Sequence, residues 1–304
     1  MYCENKINAV DGFSDDRFGQ SVLIEDQWIF IGANRDFHNG VNSGSVYVYT
    51  YDNDINTTFY QKIIPSDNSN DQFFGKNITY DAGWLAVSAI YDDENGYKSG
   101  AVYLFYFNDN IWIEHSKITA HDGAAYDRFG YSLDIENNKL VVGSIYDDDK
   151  GENSGSVYLY ELVNNNWNLI NKITPDFLSS SDLFGYSLSL GFGYLAVSAP
   201  QSDLSVSDGG LVSLFSLDSA SITDIGYIIP NDLKFDFRLS TSLVEIINEE
   251  NIHNWVRKII GITSSGVTAK NLINPGAWAY PTDIRTFLNG TLVSLSGNNL
   301  TPIT

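Results

Sequence analysis

The sequence predicts an all-β fold, a β-propeller of four-stranded antiparallel blades. The expected ring has five blades with the N-terminal strand closing it; the alternative is part of a seven-bladed ring. Three observations lead there. A Phe-Gly pair recurs at Phe18-Gly19, Phe74-Gly75, Phe129-Gly130 and Phe184-Gly185, about 55 residues apart. Markers stay in register with it: a Lys-Ile twelve residues before each Phe (Lys6, Lys62, Lys117, Lys172), a small-residue site fourteen after, and a glycine twenty-six after (Gly44, Gly100, Gly155, Gly210). Between the markers lie short runs of Val, Ile, Leu and Tyr, punctuated by turn residues at strand spacing. A repeat of this length is the mark of an array or a propeller.

Taken in chain order, residues 1–10 come first. Lys6-Ile7 matches the end of a fourth strand, so the chain is expected to open on the last strand of a blade. Pairing that strand with the C-terminal blade would remove two open edges. Four clear repeats follow from about residue 11, and the repeat region spans 1–236. The third copy shows the unit plainly: GYSLDI, the turn Glu136-Asn137-Asn138, KLVVGS, then GSVYLYEL and NLINKI. The third strand of copy one, GSVYVYTY, is apolar or aromatic on both faces. A sheet with one wet face alternates more cleanly, so each sheet is expected to lie between neighbours. Residues 237–304 are expected to form a degenerate fifth blade or a C-terminal extension. Phe237-Arg238-Leu239-Ser240 falls near the next Phe-Gly position, apolar stretches follow at 243–247 and 256–262, and 291–295 is a candidate third strand.

Composition narrows the partners. The chain has 304 residues, 43% hydrophobic and 14% aromatic, enough for a substantial core. Its 38 acidic residues against 17 basic ones leave a net charge of −21, which repels phosphate backbones and anionic lipid. Nucleic acid and membrane insertion are therefore excluded as partners, and no window approaches 18 apolar residues. The start, MYCENKINAV, shows no signal-peptide pattern. A single cysteine, Cys3, rules out an internal disulfide framework or a cysteine-based zinc site.

The motifs Asp127-Arg128-Phe129-Gly130, Leu140-Val141-Val142-Gly143 and Asn153-Ser154-Gly155-Ser156-Val157-Tyr158 resemble the FG-GAP repeats of the integrin α-chain propeller, and more closely the bacterial-type variant. The resemblance covers residues 6 to about 230. It implies a propeller used in adhesion or ligand binding, extracellular or at a cell surface. One family feature is missing. The D-x-D-x-D-G calcium loop between strands one and two is replaced by tight turns at Glu25-Asp26-Gln27, Asp81-Ala82-Gly83, Glu136-Asn137-Asn138 and Gly191-Phe192-Gly193. The family's metal ligands do not carry over.

Acidic residues gather instead in the loop between strands two and three. Asp92, Asp93, Asp147, Asp148 and Asp149 are the candidate metal ligands and Ca²⁺ the cofactor to test, although neither loop meets the EF-hand ligand pattern. The plainer reading is a solvated turn. In an antiparallel blade that loop and the inter-blade loop emerge at one end, where they collect nearly half of the 38 carboxylates. Asp16, Asp127 and Asp182, two residues before the Phe, with Arg17 and Arg128, are the ligand-face candidates. Capping of the inter-blade turn is the alternative role for these aspartates and for Asp71. Trp28, Trp84, Trp112 and Trp167 read as packing residues. His38, His115, His121 and His253 form no catalytic pattern, and no nucleophile, phosphate-loop or dinucleotide motif occurs. The expectation is a non-enzymatic module that recognises protein or carbohydrate through an acidic face; the alternatives are a structural spacer and a propeller glycosidase.

Overall fold

A computed structural model describes residues 6–37, 40–52, 56–67, 69–204, 207–218, 221–229, 284–288, 291–296 and 299–302. The described residues contain strands and turns and no helix, so none is long and apolar enough to cross a membrane. Four sheets are four-stranded antiparallel meanders. They comprise β1 (Phe18–Glu25), β2 (Trp28–Ala33), β3 (Ser45–Tyr51) and β4 (Thr57–Ile63); β5 (Phe74–Asp81), β6 (Trp84–Ala89), β7 (Ala101–Asn108) and β8 (Ile111–Ile118); β9 (Phe129–Glu136), β10 (Lys139–Ser144), β11 (Ser156–Val163) and β12 (Asn166–Ile173); and β13 (Leu188–Gly191), β14 (Tyr194–Ala199), β15 (Leu211–Asp218) and β16 (Ser221–Ile228). The strands expected in the third copy coincide with β9 to β12.

Local chemistry sets these meanders. The first hairpins of the second, third and fourth sheets turn on two residues of positive φ: Ala82-Gly83, Asn137-Asn138 and Phe192-Gly193. That is the turn whose twist matches paired strands. The third-to-fourth hairpins do the same with Asp109-Asn110 and Asn164-Asn165. A bulge recurs at one place in each outer strand pair, at Val48/Tyr49, Leu104/Phe105, Leu159/Tyr160 and Leu214/Phe215. Bulges increase local twist, which suits an outermost strand that must splay away.

The chain divides into two compact units between Ser187 and Leu188. In the first, three sheets pack face to face. Trp28, Phe30, Val46 and Val48 of the first sheet meet Phe74, Leu85, Val87 and Phe105 of the second. Ala86, Val102 and Leu104 on the other face of the second sheet meet Leu140, Val142 and Tyr158 of the third. The third strand of the second sheet, β7, is therefore apolar on both faces because both faces are covered. The first strands β1, β5 and β9 lie against one another, so the sheets are wedges closest at that edge.

Small residues make the close approach possible. The Phe74 amide donates to Ser43 O at 3.1 Å, and the Phe129 amide to Ser99 O at 2.8 Å. Ser21 Oγ reaches Gly75 O at 2.9 Å, and Ser132 Oγ reaches Gly185 O at 2.5 Å. A Cβ on Gly75 would stand 2.6 Å from Ser45 O, with φ at +85°. Phe74-Gly75, Phe129-Gly130 and Phe184-Gly185 are thus backbone docks onto the Ser-Gly pairs that precede the third strands of the sheets before them.

In the second unit, β13 to β16 bury Tyr194, Ala196, Leu214 and Ile225, and β17 (Ile284–Leu288), β18 (Thr291–Ser296) and β19 (Asn299–Pro302) form a three-stranded meander. The candidate strand at 291–295 is the middle one of these. The expected markers at 237–240, 243–247 and 256–262 lie outside the described residues.

One expectation is corrected. Residues 6–9 form no strand. Ile7 and Ala9 instead pack on Ile29, Ile31 and Tyr49 of the first sheet, and Tyr49 Oη donates to Asn8 O at 2.7 Å. Among the described residues no strand pairs with this segment, so its apolar side chains cover a sheet face instead of extending a sheet edge.

Candidate functional site

The loop end of the first unit is organised by one side-chain cluster repeated three times. In the second sheet Lys117, on β8, sits beside Tyr103, its cross-strand partner on β7. Its ammonium lies 2.7 Å from Asp67 of the inter-blade loop, 2.9 Å from Asp92 and 2.8 Å from Glu94 of the loop between strands two and three. Tyr103 Oη donates to Asp67 at 2.6 Å and to Asp92 at 3.1 Å. Lys172 repeats the arrangement with Asp122, Asp147, Asp149 and Tyr158, and Lys62 with Asp11, Asp36 and Tyr47. Each ammonium also lies over its tyrosine ring, at 4.8, 5.3 and 5.2 Å for Lys62, Lys117 and Lys172. Because one cluster holds both loops, the two loops do share one end of the sheet.

The electrostatics follow. Burial alone pushes the Asp67 and Asp122 carboxyls up, but the lysine ammonium and tyrosine hydroxyl outweigh it and hold both below the usual range. Burial acts to lower the Lys117 and Lys172 ammoniums, and their three carboxylate partners more than reverse this, raising both. Burial first, then the neighbouring carboxylates, push the Tyr103 hydroxyl up; for Tyr158 burial and the charge on Asp147 do so.

The metal candidates all belong to these loops. Asp92 and Asp147 are buried and engaged by lysine, and Asp149 pairs with Lys172. Asp93 and Asp148 accept the amides of Lys98 and Asn153, both at 2.7 Å, as turn-closing acceptors. Among the described residues no group of three or more His, Cys, Asp or Glu is disposed to hold a metal ion.

The ligand-face aspartates point inward. Asp16, Asp127 and Asp182 are 4%, 4% and 1% exposed, so none is presented to a ligand. Each accepts the amide three residues earlier, from Phe13, Ala124 and Ser179. In the second repeat that cap is not Asp71, which is exposed and bound to Asn42, but Gln72, whose Oε1 accepts the Ser69 amide at 3.0 Å. Gln72 also donates to Asp92 at 2.9 Å. Asp127 has no side-chain amide to offer: burial raises its carboxyl to about 6, with the charges of Asp147 and Asp148 adding to it.

Arg17 is exposed, whereas Arg128 is half-buried between two tyrosines, its guanidinium carbon 5.1 Å from the Tyr91 ring and 4.6 Å from the Tyr146 ring. Arg35 lies 5.6 Å from the Phe73 ring, which is edge-on to Tyr91 at 4.7 Å. This strip of alternating cations and rings escaped the sequence reading, although a signal existed. Its residues stand at two fixed repeat positions, just before the Phe (Phe73, Arg128) and seventeen after it (Arg35, Tyr91, Tyr146).

Trp28, Trp112 and Trp167 are buried and Trp84 is half-buried, packing edge-on against Trp167 at 5.6 Å. His115 packs on Trp84 at 5.0 Å, and exposed His121 lies 3.4 Å from Asp122.

Residues 3–49, 57–105 and 112–160 match the family model described as FG-GAP repeat. Each matched segment after the first begins on or at the last strand of one sheet and ends in the third strand of the next, so the sequence unit straddles two sheets. No curated protein matches the chain by sequence. Among solved structures, a provisionally assigned 6-phosphogluconolactonase from Bacteroides fragilis is 12% identical with a TM-score of 0.45, covering 69% of this chain and 58% of that one. This chain therefore spans less than two thirds of that protein. An α-L-arabinofuranosidase from Lactobacillus brevis is 15% identical with a TM-score of 0.38, covering 69% of this chain and 71% of that one.

Proposed function

Because three segments of this chain, 3–49, 57–105 and 112–160, match the FG-GAP repeat, we propose that it works as a non-enzymatic recognition module, extracellular or at a cell surface, binding a protein partner through the loop end of its sheets. One observation carries this reading. In three successive repeats the inter-blade loop and the loop between strands two and three are locked together by the same Lys-Asp-Asp-Tyr cluster. Loops held this way present side chains with little left to order on contact, and preorganisation is what turns a surface into a binding platform. Exposed apolar residues gather on these loops: Phe37, Tyr97 and Tyr126 are 60%, 53% and 55% exposed. The opposite turns of the first unit, such as Ala82-Gly83, Asp109-Asn110, Asn137-Asn138 and Asn164-Asn165, are short hairpins of small or polar residues.

The test uses the full chain in a Cys3→Ser background, screened on arrays of protein ectodomains and glycans. Two single-cysteine variants then carry a bulky polymer label, one at Glu152 on the loop end and one at Thr58 on the outer strand. The expected result is loss of partner binding with the Glu152 label and retention with the Thr58 label. Equal binding by both would overturn the assignment of the face.

A further inference from the structure

Two groups stand out among the cations of the first unit. Lys62, Lys117, Lys139, Lys150 and Lys172 are all ion-paired with carboxylates. Arg35, Lys98 and Arg128 have no carboxylate partner among the described residues and rest on aromatic rings instead, Lys98 at 4.7 Å from Tyr91 and 4.8 Å from Tyr97. These three cations thus stand without an ion pair in a chain of 38 acidic residues to 17 basic ones. Moreover, Nε of both Arg35 and Arg128 is enclosed without a hydrogen-bond acceptor. An enclosed unpaired donor is a cost that a native fold rarely leaves uncompensated.

Stacking explains what these arginines are prepared for. A guanidinium has five donors, all in its plane; rings against its faces leave those donors unused, and with Nε enclosed the four on the two Nη atoms are the ones a ligand can reach. Held between Tyr91 and Tyr146, Arg128 is oriented in advance for a planar, two-toothed acceptor, which is a carboxylate. The surroundings set the rest of the ligand. Asp71, Asp93 and Asp148, exposed on the loops that carry the strip, disfavour a densely charged polyanion and favour basic groups to either side. Tyr97 and Tyr126, edge-on at 5.4 Å, offer apolar surface beside Lys98.

We propose that the Arg35–Phe73–Tyr91–Arg128–Tyr146 strip binds a peptide segment bearing one isolated carboxylate flanked by lysine or arginine. This deepens the recognition reading above and rests on it. The probes are fluorescein-labelled octapeptides with a central Glu or Asp and a lysine at each end, the same peptides with central Gln or Asn, and octaglutamate, all titrated by fluorescence polarisation against the full chain. Saturable binding of the central-acid peptides is expected, at least tenfold weaker when the acid becomes an amide. Arg128→Gln and Arg128→Lys are each expected to weaken it tenfold or more, the lysine variant because it keeps charge but loses the planar fork. Arg35→Gln is expected to weaken it less, and unchanged melting temperatures would show that these variants fold. Equal affinity for acid and amide peptides, tighter binding of octaglutamate, or indifference to Arg128→Gln would overturn the proposal. A protein partner displaced by the Glu152 label yet indifferent to Arg128→Gln would refute the strip alone, leaving the platform standing.

Discussion

At the residue scale, Asp127 and Gln72 are one position solved twice. Both accept an amide three residues back, but Gln72 donates to the neighbouring buried aspartate where Asp127 can only repel its own. The Asp127 carboxyl, raised to about 6, favours the folded state while protonated. Its contribution is complete below the ordinary aspartate range and lost as pH rises through about 6. Asp127→Gln is therefore expected to raise the melting temperature at pH 7.5 to 8. The gain in stability is up to roughly 3 kcal/mol, since each tenfold change in proton affinity is worth about 1.4 kcal/mol. The difference is expected to close by about pH 4. Asp67 and Asp122, held low by lysine, act in the opposite sense: what they contribute is present above the ordinary range and disappears only as pH falls below it. Thermal melts of wild type and variant across pH 4 to 8 check the first sign, and wild-type melts carried from pH 4 down to 2 check the second; a variant less stable at pH 8 would refute the first. Gly75 has no such freedom, since a side chain there meets Ser45 O on a left-handed backbone. Gly75→Ala is expected to cost about 2 kcal/mol or more in denaturant unfolding, since overpacking and left-handed strain add.

At the element scale, the fourth repeat shows what the charged cluster is. Its strand register pairs Ser213 with Tyr227, as Tyr103 pairs with Lys117, so the equivalent positions are fixed. There Lys becomes Tyr227, Tyr becomes Ser213, and the two aspartates become Phe177 and Ser202. All four members change together. Yet the loop backbone persists, Gly210 N donating to Ser202 O at 3.0 Å as Gly100 N does to Asp92 O at 2.9 Å. A buried ion pair is costly to break singly and cheap to replace whole, because the penalty lies in the charge left behind. Lys117→Met alone is thus expected to destabilise by about 3–5 kcal/mol. Adding Asp92→Ser, Asp67→Phe and Tyr103→Ser in the same chain is expected to recover much of that, measured as a coupling energy by mutant cycles. Additive losses would show that the four do not act as a unit.

At the scale of the whole molecule, a net charge of −21 makes self-repulsion a general term. Melting temperature is expected to rise from low salt to physiological salt as that repulsion is screened. With Asp92, Asp147 and Asp149 taken by lysines, millimolar Ca²⁺ is expected to act no differently from Mg²⁺ at equal ionic strength. A specific rise with Ca²⁺ would mean the ion displaces an ammonium from a cluster.

The repeat, its phase and its strands were legible because period and pattern are one-dimensional. A Phe-Gly every 55 or so residues, paired turn residues such as Asn137-Asn138, and strands apolar on both faces all state themselves locally. Residue order was therefore enough to establish that the first 230 or so residues build four-stranded sheets, with acidic residues in the loops between strands two and three and between blades. It could not say which of those acids are free. Lys117 lies 50 residues from Asp67 and 25 from Asp92 along the chain, and only the packing of strand β8 against two loops brings one ammonium to both. Charge counted along a chain carries no sign of its neutralisation in space, because pairing depends on distances of a few ångströms that spacing does not encode. Folding in three dimensions thus tied Asp92, Asp147 and Asp149 to lysines and Asp93 and Asp148 to loop amides, and left Arg35 and Arg128, inconspicuous in the sequence, as cations resting on rings with no carboxylate beside them.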